Sequence, residues 1–290
     1  MAIWSGIGMN YGHQFTDVNY STTQVESDFT ALRVQGVNKI RIIFPGYQNS
    51  TGITNAQDMI TRALAHGFYV IWGVDPGVGS GGLTSTIWSS FKTYVTGTLA
   101  TWAQSNALSE LAVGNECDAR VDGSTLTAAT VRSDVLSMAT TIRTGGYTGK
   151  ISYDTAAGSS EITGWASSGV ASLDYIGWNS YDTLTNFQSN MPTFVSDFGA
   201  KAYISEFGGI DNGYPDFNNE ILFHHDTIDR LVAMQKNNIP SGYFFTYRDG
   251  SDNIAPNTFG IIQPNGVPHL ALNAILGIAL PFYGNFIGHA

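Results

Sequence analysis

Eight short apolar, strand-like runs alternate with helix-like segments along this chain, and that alternation constrains its fold more than any other feature. The runs are Ile3–Met9, Lys39–Ile43, Tyr69–Val74, Leu111–Asn115, Lys150–Tyr153, Tyr175–Asn179, Ala202–Glu206 and Gly242–Tyr247. The segments between them space their apolar residues at helical intervals, as in Val25, Phe29 and Leu32, or Met59, Ile60, Ala63 and Leu64. Thr22 and Thr54 read as N-caps. Gly36, Gly67 and Gly199 fall between a helix and the next strand, where a left-handed residue closes a helix. Eight alternations exceed the usual doubly wound sheet and predict an α/β fold, a closed parallel (β/α)8 TIM barrel. A length of 290 residues suits one such domain over 1–290, since barrels commonly need about 250.

In a parallel barrel all strands end on one face, so residues distant in sequence can point into one cleft. Two carboxylates occupy such ends. Glu116 closes Leu111–Asn115 and Glu206 closes Ala202–Ser205, ninety residues later. Cleavage of a glycosidic bond needs a pair of this kind: one carboxyl protonates the departing oxygen, and the other, ionised, attacks or stabilises the sugar carbon. Position alone leaves open that both are ordinary loop carboxylates making caps or ion pairs.

Composition narrows the partners. Charged residues make up only 12% of the chain, about half the usual share, and Ser, Thr, Gly and Asn carry the surface instead. A net charge of −10 would repel a nucleic-acid backbone, so a neutral polar partner fits better. The chain has one cysteine, Cys117, which excludes an internal disulfide and reads as a small buried residue rather than a nucleophile. His224-His225-Asp226 looks superficially like a metal cluster, but adjacent helical residues face different ways, and packing is the expected role. No apolar stretch approaches the twenty or so residues of a membrane span. The opening Met-Ala-Ile-Trp carries no signal-peptide pattern; a mature secreted or extracellular monomer is the expected form. Ile275–Pro281 is short and apolar, suited to packing under the barrel or to a truncated junction.

The loops after the strands are uneven. Gly77–Gly82 lacks the lysine of a phosphate-binding loop and the spacing of a dinucleotide fingerprint, and reads as a flexible rim. Gly208–Asn219 and Arg248–Asn257 are the expected walls of a cleft. Trp4, Tyr11, Tyr47, Trp72, Trp178, Tyr214 and Tyr247 near strand ends are either sugar-stacking platforms or core.

Ala-Val-Gly-Asn115-Glu116 and Tyr-Ile-Ser-Glu206-Phe-Gly, taken with Gly-Met-Asn10-Tyr11, Lys-Ile-Arg41-Ile, Trp178-Asn-Ser-Tyr181 and the Phe259–His269 string, form an ordered series over nearly the whole chain. The series resembles glycoside hydrolase clan A, the barrels with an Asn-Glu pair at the fourth strand and a Glu at the seventh. The resemblance implies a retaining mechanism, with Glu116 as general acid/base, Glu206 as nucleophile and carboxyls about 5 to 5.5 Å apart. It implies that Asn115 donates to the sugar 2-hydroxyl, that Arg41 lies beneath Glu206 and keeps it ionised, and that Tyr181 hydrogen-bonds the nucleophile. Trp178, Asn10 and Tyr247 complete the expected substrate-binding set. No cofactor is required, and the expected partner is a polysaccharide or oligosaccharide, a β-linked glucan or mannan cut internally.

The match to individual families is partial. Family 5 usually has Pro after its acid/base and histidines near the site, where this chain has Cys117 and no histidine on the sixth strand. The opening and the Ala-Val-Gly-Asn-Glu string are similar to family 17, but the Thr-Gly-Trp that follows that family's nucleophile is missing, and Phe244, Phe245 and Tyr247 stand where the clan often places Trp. An exo-acting glycosidase, a non-catalytic sugar-binding barrel and an adhesive module stay open as alternatives.

Overall fold

The computed structural model describes residues 6–12, 20–78, 82–156, 158–208, 220–247, 261–262, 272 and 275. The eight strands are β1 (Ile7–Tyr11), β2 (Lys39–Ile42), β3 (Tyr69–Gly73), β4 (Glu110–Asn115), β5 (Lys150–Thr155), β6 (Tyr175–Ser180), β7 (Ala202–Phe207) and β8 (Gly242–Phe244). All pair in parallel and in chain order, and β8 returns to β1 through Ile7–Gly242 and Met9–Phe244, closing the barrel. The helices are α1 (Thr22–Val34), α2 (Ser50–Ala65), α3 (Ser85–Tyr94), α4 (Ala100–Ser105), α5 (Ala128–Thr144), α6 (Ser159–Ser168), α7 (Leu184–Phe198) and α8 (Glu220–Lys236). A π-turn, Val95–Leu99, joins α3 to α4.

The helices start where side chains can satisfy their first amides. Ser21 accepts from Gln24 N and Asn49 from Gly52 N, so each cap lies ahead of the threonine that the sequence suggested. Thr22 is the first residue of α1, and Thr54 sits inside α2 with its hydroxyl donating back to Ser50 O at 2.9 Å. Gly36, Gly67 and Gly199 have φ of 87°, 75° and 56°, the positive φ that glycine adopts without strain after a helix.

Alternation along each strand divides the core in two. One set of side chains meets the helices in a large apolar layer that includes Ile40, Ile42, Val70, Trp72, Leu111, Val113, Ile176, Trp178, Ala202 and Ile204. The other set fills the barrel interior, where Ile71, Ala112, Tyr203 and Tyr243 cluster together. Space inside is short: a Cβ at Gly177 would lie 2.2 Å from Asp154 Oδ1 and 2.6 Å from Ser205 Oγ, so the inward position of β6 is filled by its neighbours' polar groups. Beyond Phe244 the chain leaves the regular ladder. Phe245 N donates to Phe207 O at 2.8 Å and Tyr247 N to Asn10 O at 3.0 Å, so this segment still closes the upper rim of the barrel.

Candidate active site

Three register pairs assemble the site at the C-terminal ends of the strands: Asn10 beside Arg41, Asn115 beside Asp154 and Asn179 beside Glu206. The β4–β5 ladder shifts between Ala112 and Asn115, and the β6–β7 ladder between Gly177 and Asn179. Such irregularities re-aim side chains near the end of a strand, which is where these residues sit.

Arg41 is the hub. It is 3% exposed, and each of its five N–H groups has an acceptor. Nε and Nη2 donate to Asp154 Oδ2 at 3.0 and 2.9 Å, and Nη1 donates to Glu206 Oε1 at 2.8 Å and to Asn10 Oδ1 at 2.7 Å. The second Nη2 bond reaches Asn115 Oδ1 at 2.9 Å, and the guanidinium lies 4.2 Å over the Phe44 ring. Burial pulls Arg41 towards losing its proton, but the carboxylates of Asp154 and Glu206 more than offset this and hold it cationic.

Glu206, 7% exposed, therefore rests on Arg41 as expected, and Tyr181 donates its phenol proton to the other carboxylate oxygen, Oε2. Its carboxyl is nevertheless pulled two ways. Burial pushes Glu206 up to about 7 against the pull of Arg41 and Tyr181, and the charges of Glu116 and Asp154 add to the rise. Burial is the main cause, and the one guanidinium that opposes it is shared with a second carboxylate, Asp154.

Asn115 Oδ1 accepts from both Arg41 Nη2 and Asn179 Nδ2, so its amide is fixed with the nitrogen as the donor left for the cavity that it lines. Glu116 follows in the left-handed region at φ 52°, uncommon for a side chain of its size and frequent at functional turns. Its amide donates to Asp154 O at 2.7 Å, and its carboxylate Oε1 accepts from Asn179 Nδ2 at 2.9 Å. Arg120 clamps the turn from below by donating to the carbonyls of Asn115 and Glu116, and is held in turn by Asp75 at 2.6 Å. Asn10, Arg41, Phe44, Asp75, Asn115 and Glu206 contribute to the walls of an open cavity of about 220 Å³.

Three of the proposed substrate-binding residues do other work. Trp178 is fully buried on the helix side of β6, stacked on Phe187 at 5.4 Å and tilted against Phe194, because alternation turns Asn179 inward and Trp178 outward. Tyr247 is 3% exposed and packs against Tyr11, whose own hydroxyl donates to Asp28. Asn10 lines the cavity, but it is 3% exposed and both ends of its amide are engaged: Oδ1 accepts from Arg41, and Nδ2 donates to Ser205 O at 3.0 Å. Trp72 is likewise core, against Trp102, while Tyr47 is half-buried beside Phe91 and Tyr94. Trp4 and Tyr214 lie outside the described residues, as do most of Gly208–Asn219, Arg248–Asn257, Phe259–His269 and Ile275–Pro281 and part of Gly77–Gly82. Asp154, Asn179, Tyr203 and Arg120 were not singled out from the sequence. The strand-end position of Asn179 next to Trp178 was the available signal for one of them, and Asp154 directly follows the run Lys150–Tyr153, as Glu116 follows Leu111–Asn115.

Cys117 is fully buried, and burial pushes its thiol up to about 12, consistent with an inert core residue. Among the described residues no group of three His, Cys, Asp or Glu could hold a metal ion, and no helix is long and apolar enough to cross a membrane.

No protein-family model and no curated protein matches the sequence. Solved structures do. An exo-β-1,4-mannosidase from Opitutaceae bacterium strain TAV5 superposes with a TM-score of 0.72 at 17% identity over 96% of this chain, which spans 59% of that protein's length. A family 113 β-mannanase from Alicyclobacillus acidocaldarius gives 0.70 at 14% identity, covering 96% of this chain and 99% of that one. A family 5 xyloglucan-specific endo-β-1,4-glucanase from a metagenomic library gives 0.67 at 13%, covering 94% and 96%. The fold matches that of clan A glycoside hydrolases. At these identities the likeness is one of fold, and the chemistry has to be argued from the site.

Proposed function

We propose that the chain is a retaining β-glycosidase acting by double displacement on a β-linked glucan or mannan. One observation carries the proposal: two carboxylates at the ends of β4 and β7 are bound to a single polar network through Arg41, Asn115 and Asn179. In this reading Glu206 attacks the anomeric carbon. Arg41 and Tyr181 hold both of its oxygens, fixing the direction of attack and stabilising the charge that returns when the glycosyl ester breaks. Glu116 delivers a proton to the leaving oxygen and later takes one from water, with Asn179 fixing its carboxylate through Oε1. Asn115, its oxygen saturated, offers N–H to the 2-hydroxyl, a bond that strengthens as charge develops on the sugar. No step calls for a cofactor.

Internal cleavage is the finer part of the proposal. It is supported by similarity to structures described as a β-mannanase and an endoglucanase. Removal of single sugars from a chain end is the second reading, because Trp72, Trp178 and Tyr247, open as stacking platforms or core in the sequence, are core, and one similar structure is described as an exo-mannosidase.

The test is a 2-deoxy-2-fluoro glycosyl fluoride of the gluco or manno series, followed by peptide mapping. A glycosyl ester on Glu206 is expected, with retained anomeric configuration in the product of normal turnover. Glu116→Ala should slow hydrolysis of substrates with poor leaving groups far more than that of activated aryl glycosides, which need little protonation. Label on another residue, or inversion, would overturn the mechanism. Viscosity of a soluble β-glucan or β-mannan falling ahead of reducing-end release would separate internal from terminal cleavage.

A further inference from the structure

Asp154 is fully buried on β5, inside the barrel beneath the two catalytic candidates, and the reaction as drawn gives it no part. Every polar contact around it is nevertheless specific. Oδ2 accepts from both Nε and Nη2 of Arg41, Oδ1 accepts the phenol proton of Tyr203, and the backbone carbonyl accepts from Glu116 N at 2.7 Å. β6 makes room for it: a Cβ at Gly177 would come within 2.2 Å of Oδ1. One residue thus touches the backbone of Glu116 and the cation under Glu206.

We propose that Asp154 is the positioning residue of this site, locking the Arg41 guanidinium through its Nε–Nη2 edge while Nη1 holds Glu206, so that Asp154 raises the pH at which Glu206 becomes a nucleophile. The inference rests on the reading of Glu206 as the attacking group. Arg41 bridges the two carboxylates with Nη1 on Glu206 Oε1 at 2.8 Å and Nη2 on Asp154 Oδ2 at 2.9 Å, all three residues being at most 7% exposed. In so buried a setting a guanidinium drawn towards one anion is less available to neutralise the other, and the second anion repels the first directly. The titratable groups facing Glu206 are Arg41 from β2, Glu116 after β4, Asp154 from β5 and Tyr181 after β6. Those facing Asp154 are Arg41, Glu206, Tyr203 from β7, Tyr243 from β8 and Glu110 at the opposite end of β4. Among the described residues, Arg41 is the only cation in either set. Removing the charge of Asp154 therefore leaves Glu206 as the one carboxylate on the guanidinium, whose other acceptors, Asn10 and Asn115, are neutral.

The experiment compares wild type with Asp154→Asn and Tyr203→Phe. Asparagine keeps the shape and removes the charge. The acidic limb of kcat/KM should move to lower pH, by roughly one unit or more, even if the maximal rate falls because Arg41 is less firmly held. Tyr203→Phe does the reverse: it strips a donor from Asp154, leaves that charge less compensated and should move the limb to higher pH. Carbon-13 titration of the Glu206 carboxyl, assigned by comparison with Glu206→Gln, reads the same midpoints without turnover. A uniform loss of rate in both variants with the limb unmoved would make Asp154 a purely structural anchor and overturn the inference. Should Asp154→Asn fail to fold, Tyr203→Phe and the wild-type titration decide: an ordinary carboxylate midpoint for Glu206 in wild type also overturns it. The two levels fail separately. Label on a residue other than Glu206 defeats the nucleophile assignment while the carbon-13 shift still reports the coupling; label on Glu206 with no shift in the Asp154 variant defeats the coupling alone.

Discussion

Replacing Glu206 by Gln should stabilise the protein at neutral pH while removing its activity. Glu206 is 7% exposed and its carboxyl is pushed from 4.5 up to about 7. A group raised on folding binds its proton more tightly in the native state than in the unfolded chain. Between pH 4.5 and 7 the unfolded chain has released this proton and the native protein has not, so native stability falls as pH rises across that window and levels off above it. At 1.36 kcal/mol per unit the rise corresponds to about 3 kcal/mol. Gln escapes the penalty and keeps most of the local bonding: its carbonyl can accept from Arg41 Nη1, its amide can donate to the Tyr181 oxygen with the direction of that bond reversed, and Arg41 retains Asp154, so no buried cation is orphaned. The assay is thermal or urea unfolding of both proteins at intervals from pH 4 to 8. Near pH 4.5 the two should be similar; by pH 8 the variant should lead by about 3 kcal/mol, or roughly 5–10 °C in Tm. Other shifted carboxyls, such as Glu110 raised and Asp122 lowered, are common to both proteins and cancel in the difference. A pH-independent difference, or wild type gaining on the variant as pH rises, would refute the reasoning.

Trp178→Ala should cost about 3–5 kcal/mol, measured by unfolding, because it empties a fully buried site stacked on Phe187; a stable variant with selectively weakened long-chain turnover would restore a sugar-binding role. Asn179→Ala removes the donor shared by Asn115 and Glu116 and strands the Ser205 hydroxyl that Asn179 accepts from at 2.7 Å, so kcat should drop on the order of 100-fold with KM changed far less, and unchanged kcat would show that Glu116 is positioned by other means.

Much of this protein is legible in its sequence. The eight-fold alternation follows from local physics: β-rich apolar runs, amphipathic helices and glycines that can turn left-handed at helix ends, each encoded within a few residues. The carboxylates Glu116 and Glu206 were recognisable because each lies at the end of a strand-like run, and a parallel barrel brings such ends together; Asn115, Arg41 and Tyr181 came from the ordered strings that resemble clan A. What the sequence could not provide was the side of the strand on which a residue lies once a ladder slips. Tyr203 faces inward and Ile204 outward, so strict alternation along β7 would turn Glu206 to the helix layer; the shifted β6–β7 ladder is where Glu206 comes to face Arg41 instead. The charge balance was equally hidden. Arg41 and Asp154 are 113 residues apart, and no local pattern shows that one guanidinium must serve two carboxylates. Hydrogen bonding and burial act through space, so the ionisation of Glu206 is decided by the closed barrel, whereas the presence of Glu206 at a strand end is decided by the chain.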